Sequence, residues 1–293
     1  MSSKSLLLLL CCIGLLLTGC SASAPQKHID EDALDLGAGE TISSAQELLA
    51  FFEHGGTVGR LSSDIDLGEE MLKLSAQRGG VEIDGDGHTL SSNAACVVRL
   101  EDGAELALYD ITVSAAQSGI GFLGDGMLLG EFQIMAQANA LHGEGAITIG
   151  SGSDISLTAQ TGSGVLCVGF TLEEDSKVAV EAAIFGLSAG KGDIWLQKNS
   201  GLECAAQGDN VVKNDGMLRM EQGASFQSTN TGDHNAAKVG MLEIDPAATV
   251  ALKGGDSGVG LFVVEQFDDI TIHGSCTPEV RVEVGKGQVA FES

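Results

Sequence analysis

Three evenly spaced side chains, Trp195, Arg219 and Glu243, could meet on one surface. An indole beside a guanidinium and a carboxylate can form a sugar platform, with the ring facing apolar C–H surface and the charges facing hydroxyls. The same trio can instead satisfy itself. An arginine stacked over an exposed tryptophan is worth about 0.5–1 kcal/mol, and the scarcity of surface aromatics favours this covered arrangement. Tyr109, which follows an inward Leu108, is a fourth outward candidate. Glu221, Asp245 and Glu265 each follow an apolar pair and occupy equivalent strand ends; Glu173 shares their row and Gln197 interrupts it. Carboxylates stacked ~4.8 Å apart repel one another or recruit a divalent cation such as calcium.

Other constellations are weaker. Asp84-Gly85-Asp86-Gly87-His88 offers oxygens for calcium but lacks EF-hand spacing, and its Asp and Gly residues suit a turn for local reasons. Gly119-Ile120-Gly121-Phe122-Leu123-Gly124 matches the dinucleotide fingerprint formally, yet no helical pattern follows it. Cys96, Cys167, Cys204 and Cys276 lack zinc spacing and read as buried free thiols, with Cys204 in an inward slot. A Cys/His nucleophile pair has no local signature.

These positions line up only if the chain repeats, and it does. Apolar pairs at i and i+2 recur at a constant interval: Phe170/Leu172, Ile194/Leu196, Leu218/Met220 and Leu242/Ile244. A second pair follows each at a fixed offset of eight: Val178/Val180, Leu202/Cys204, Phe226/Ser228 and Val250/Leu252. Ile147/Ile149 with Ile155/Leu157 precede the series, and Phe262/Val264 with Ile270/Ile272 are expected to continue it. Such a period marks a solenoid whose stacked coils share one core. Upstream, Phe132, Ile111, Leu90 and Leu72 are the expected equivalents of Ile155. Small residues at Ala76, Ala94, Ala115, Ala136, Ala159, Ala182 and Ala206 are expected at one tight corner. Ser44 and Glu47 form a capping box for a helix over Ser44–Glu53, with Gly55 ending it in a left-handed conformation. Its stripe of Leu48, Leu49, Phe51 and Phe52 suits a lid on the first coil, and the tail alternation Val280/Val282/Val284 is expected to close the far end.

The amino terminus reads as an address. Lys4 precedes an apolar run, Leu6–Leu17, too short to span a bilayer, and Leu17-Thr18-Gly19-Cys20 closes it. This resembles the lipobox of bacterial lipoproteins. The resemblance implies a signal peptide over 1–19, diacylglycerol on the Cys20 thiol, and a membrane-held protein on the extracytoplasmic face. Residues 20–40 are polar and acidic and read as a flexible tether before a domain over 41–293. Loss of Lys4 on cleavage leaves 14 Lys and Arg against 41 acids, a net charge of −27. That balance points away from nucleic acid and anionic polysaccharide as direct partners.

Gly55-Gly56-Thr57-Val58, Asp64-Ile65-Asp66-Leu67 and Val81–Leu90 resemble the opening coils of right-handed parallel β-helix proteins, the broad group that includes pectate lyases and polygalacturonases. The resemblance implies an all-β, single-stranded, right-handed parallel β-helix of about ten coils with an N-terminal capping helix. It does not extend to catalysis. Asp268-Asp269 and Gly232-Asp233-His234 occur in the wrong order for a polygalacturonase, and Arg-Ile-Lys is missing. The reading that follows is a lipid-anchored surface module for binding or adhesion, non-catalytic, with a glycan or a surface protein as partner. The alternatives are a divergent polysaccharide lyase or glycoside hydrolase, and a structural spacer.

Overall fold

Alternation of apolar and polar residues puts every second side chain on one side of a strand. Here the apolar side of each strand faces a single axis. The computed structural model describes residues 39–293. The signal peptide, Cys20 and almost all of the expected tether lie outside the described residues; the first strand is Glu40–Ile42. Among the described residues, no helix is long and apolar enough to cross a membrane.

The chain winds into a parallel β-solenoid of about 11 turns with one short α-helix near its start. Each regular coil contributes three strands. Ile194–Leu196, Gly201–Ala206 and Asn210–Lys213 make one coil; Met217–Met220, Ser225–Asn230 and Asn235–Val239 make the next. Strands of the first two faces join in a 19-stranded sheet because Ala104–Ala115 and Gly126–Ala136 run across the corner between them. The third face is a separate 10-stranded sheet.

The repeat read from the sequence is the register of the first two faces. Ile147, Phe170, Ile194, Leu218 and Leu242 pair successively on the first face. Ile155, Val178, Leu202, Phe226 and Val250 do so on the second. All of these side chains are buried, as is Cys204. Each fully buried Leu, Ile or Phe contributes about 1.5–3 kcal/mol relative to exposure.

The third face completes the core. Its inward row runs Leu72, Val98, Ile120, Leu141, Val165, Leu187, Val212, Ala237, Leu261 and Val280. Leu72 therefore belongs here and not in the Ile155 row. Leu90 is shifted by two, since it pairs with Val113 while Ile111 pairs with Phe132. Phe262/Val264 also lie on this face, where the inward residues are Leu261 and Val263. An i, i+2 pair looks alike on every face, so spacing alone does not say which face it joins. The ladder partners of Val250 and Leu252 are Gly274 and Cys276, not Ile270 and Ile272. Gln266 takes the place of a ladder residue there, its side-chain oxygen accepting the Leu242 N–H at 3.2 Å.

The corner row holds for Ala115, Ala136, Ala159, Ala182 and Ala206. Ser92 and Asn230 occupy its ends, displacing the expected Ala94, and Ala76 sits in a short 3-10 turn. Both polar substitutes bond to backbone: Ser92 Oγ donates to Glu70 O at 2.7 Å, and Asn230 Nδ2 donates to Gly208 O at 3.0 Å.

The helix α1 spans Ala45–His54, capped by Ser44 and ended by Gly55 at φ 88°. Glu47 reaches back to the Ser43 N–H at 2.7 Å, one residue earlier than a standard capping box. Those hydrogen bonds hold the Glu47 carboxyl below its ordinary range. Leu48, Phe51 and Phe52 are buried against the first coils, as a lid requires. The tail forms strands Val280–Gly285 on the third face and Val289–Glu292 beside Ile270–His273.

Leu196→Asp is expected to abolish cooperative unfolding by burying an unpaired charge, whereas Gln197→Asp at the neighbouring half-exposed position is expected to shift the melting temperature only slightly. Thermal melts followed by circular dichroism check this, and equal melting of the two variants would refute the register.

Candidate functional site

Ile194 and Leu196 are fully buried, so the strand between them presents Trp195 outward. Its row on the first face reads Thr148, Thr171, Trp195, Arg219, Glu243. The Arg219 guanidinium lies 5.0 Å from the centre of the indole ring. Arg219 Nε is 3.7 Å from Glu243 Oε2, and Trp195 Nε1 donates to Glu221 Oε1 at 3.0 Å. The structure thus brings together three of the four residues expected to bind a ligand and adds Glu221 to them. Arg219 of the next coil covers part of the ring, so the arginine and a part-exposed indole face solvent together.

Tyr109 is elsewhere. It pairs with Asp84 and Glu131, in a different row and several coils away from Trp195. Burial, and then the Glu82 charge, push its phenol pKa up.

The acidic row is shorter than expected. Gln197, Glu221 and Asp245 donate their N–H groups to Leu172, Leu196 and Met220, one coil apart each time. Glu265 does not follow them: it is paired with Val284 on the third face. The remaining two carboxylates are engaged, Glu221 by Trp195 and Asp245 by the Ala247 N–H at 2.8 Å. Among the described residues, no group of three or more His, Cys, Asp or Glu is placed to hold a metal ion. The calcium site expected from Glu221, Asp245 and Glu265 therefore loses its geometric basis.

A groove of about 450 Å³ opens beside the stack, lined by Glu174, Lys198, Arg219, Glu221, Glu243 and Asp245. Its mixed charges can donate to and accept from a polyhydroxylated ligand. A second groove, of about 330 Å³, includes Asp110, Glu131 and Asp154. Sequence reading misses it because it depends on a β-bulge: Glu131 pairs with Tyr109 and Phe132 with Ile111, leaving Asp110 as an extra residue at φ 45°. The only trace in the sequence is an acid that breaks the alternation after Tyr109.

Asp84–His88 is a turn. Asp84 Oδ1 accepts the Asp86 N–H at 3.0 Å, and Arg60 pairs with Asp86 at 2.8 Å and Asp84 at 3.4 Å. Gly85 permits the close approach of the next coil, since a Cβ there would lie 2.5 Å from Asp110 O. The segment Gly119–Gly124 begins within a strand, Ser118–Phe122, and not a phosphate-binding loop. The four described cysteines are free. Burial pushes the thiol of Cys167 up to about 12 and that of Cys276 up to about 11, so neither is an activated nucleophile.

With fold and site in view, comparison with known proteins places the architecture. No protein-family model and no curated protein matches the chain. Among solved structures, the chain is similar to one described as "L. reuteri 53608 SRRP", at 12% identity and a TM-score of 0.58, covering 87% of this chain and 100% of that one. A second, "L. reuters 100-23 SRRP", matches at 11% identity and a TM-score of 0.55, covering 87% and 96%. At such identities the likeness is one of fold. It defines the class, a parallel β-solenoid.

Trp195 is the single tryptophan, so its fluorescence reports this site alone. Arg219→Ala is expected to red-shift the emission, raise quencher accessibility, and cost about 0.5–1 kcal/mol of stability. Unchanged emission and quenching would show that the arginine does not cover the ring in solution.

Proposed function

We propose that this chain is a lipid-anchored module on the extracytoplasmic face of a cell membrane that binds glycan without cleaving it. The observation that carries this reading is the groove beside the Trp195–Arg219–Glu243 stack. The indole backs the guanidinium, the carboxylate orients it, and Lys198, Glu174 and Asp245 complete a polar surface for hydroxyl groups. Donors and acceptors fixed by neighbouring coils lose little entropy on binding. Among the described residues no thiol is activated for attack, and the arginine of this groove is already bonded to ring and carboxylate. The lipid anchor is supported by the Lys4, Leu6–Leu17 and Leu17–Cys20 pattern.

Two experiments test the reading. In a glycan-array screen with the full chain, at least one glycan is expected to bind, and Arg219→Ala/Glu243→Ala is expected to weaken it by about tenfold or more, on the scale of one charge-assisted hydrogen bond. Binding indifferent to the double variant, or unsaturated or reducing-end products released from polygalacturonate, would overturn the assignment. For the anchor, metabolic labelling with a palmitate analogue is expected to tag the protein and to fail in Cys20→Ala; label retained in that variant would exclude Cys20 as the lipid site.

A further inference from the structure

The outward row of the third face has an unusual composition for so acidic a chain. It reads Lys73, Arg99, Gly121, His142, Leu166, Ser188, Lys213, Lys238, Phe262, Arg281. No carboxylate stands on it, although the chain holds 41 acids against 15 Lys and Arg. Outward rows on the other faces mix signs, as with Arg219 beside Glu243, Asp154 beside Lys177, and the row that carries both Glu181 and Lys253.

The carboxyl-terminal part of the row is organised by aromatic rings. Lys238 Nζ lies 5.7 Å from the Phe262 ring centre, and the Arg281 guanidinium lies 5.5 Å from the same ring. Lys213 Nζ lies 5.8 Å from the Phe185 ring centre. Arg281 also pairs with Glu283. Among the described residues, no carboxylate lies within salt-bridge distance of Lys213 or Lys238. Cation–π contacts at these distances restrain the lysine stems without neutralising the charge. The result is three cations in line, Lys213 and Lys238 one coil apart at ~4.8 Å and Arg281 beyond Phe262, about 14 Å from end to end.

We infer that this row is a second binding site, distinct from the Trp195 groove, for a linear phosphodiester polymer of the polyol-phosphate kind. Four features select that occupant. The row is one side chain wide, because the residues on either side of each cation in its strand point inward. Exposed Asp215 and Glu265 stand at the strand ends, which suits a thin chain along the solenoid axis and disfavours a flat anionic membrane. The central cations are lysines, point charges that match tetrahedral phosphate oxygens; a planar carboxylate is better served by a free guanidinium, and Arg281 is already paired. Finally, the Debye length is ~8 Å at physiological ionic strength, so a polymer lying on the row responds to it and not to acids across the solenoid.

The test uses the full chain and immobilised poly(glycerol phosphate), with polygalacturonate and single-stranded oligothymidylate as competing probes. The wild-type chain is expected to bind poly(glycerol phosphate) in preference to both. Lys213→Glu/Lys238→Glu is expected to bind at least about tenfold more weakly, with the slope of log K against log salt flatter by about two, one for each lysine removed. Lys253→Glu on the second face and Arg219→Ala are expected to leave binding unchanged, and the lysine variants should melt near wild type. Absence of binding, equal binding by the double lysine variant, or preference for polygalacturonate or oligothymidylate would overturn the inference. The Arg219→Ala control separates its failure from failure of the glycan reading.

Discussion

Everything in this chain depends on the in-register parallel ladder. A backbone N–H in one coil donates to a carbonyl in the coil before it, as Gln197 does to Leu172, Glu221 to Leu196 and Asp245 to Met220. That ladder fixes the coil spacing and carries residue types along the axis as rows. Inward, a row is a column of packed Leu, Ile, Val and Phe. Outward, it is a line of side chains at a spacing set by hydrogen bonding alone. Buried polar residues bond to backbone where a ladder bond is missing, at a corner, or at a turn, as Ser176, Ser200 and Asn214 do. Gln266 serves the Leu242 N–H, Ser228 Oγ donates to Ala236 O at 2.7 Å, and Asn230 bonds to backbone at its corner. Such substitutions cost little because the buried polar atoms they add find partners.

The same constraint explains how much of the fold is legible in the sequence. Two faces can be read from residue spacing because their coils are nearly equal in length and their inward pairs are strongly apolar. The third face cannot. Its strands are as short as Val165–Leu166 and Leu187–Ser188, too brief to show alternation. Where coil length varies, register is lost, as at Leu90 and again beyond Leu252. The shortened step from Leu242 to Phe262 suggests another first-face repeat, yet Phe262 belongs to the third face.

The candidate site follows the same boundary. Trp195, Arg219 and Glu243 are legible because they fall inside the regular series. Glu265 is misplaced by spacing because it falls just past it. Tyr109 reads correctly as outward-facing, but nothing local in the sequence says which row it joins. The Asp110 groove depends on one extra residue in a strand, and a bulge leaves almost no mark on composition or periodicity. Phe185 and Phe262, each beside a lysine, are far apart in sequence, and only the ladder shows that they serve neighbouring parts of one face.

Net charge is a poor guide to partners in such an architecture. The formal charge of −26 is summed over the whole chain, whereas screening confines a bound ligand to the charges within about 8 Å of it. A compact ligand samples one face at a time. On the first face it meets a mixed groove in which Arg219 and Lys198 stand among four carboxylates. On the third it meets a row that carries Lys213, Lys238 and Arg281 and no acid, with Asp215, Glu265 and Glu283 standing beside it. Segregation of this kind is easy in a solenoid because the outward position in each coil is free to vary without disturbing the core, so that one row can drift toward a single sign while the inward rows stay apolar. The chain as a whole is acidic, while one row, one side chain wide, carries cations and no acid. The ladder that buries the core therefore also decides what the surface can present: lines of like residues along an axis, suited to ligands that are themselves linear.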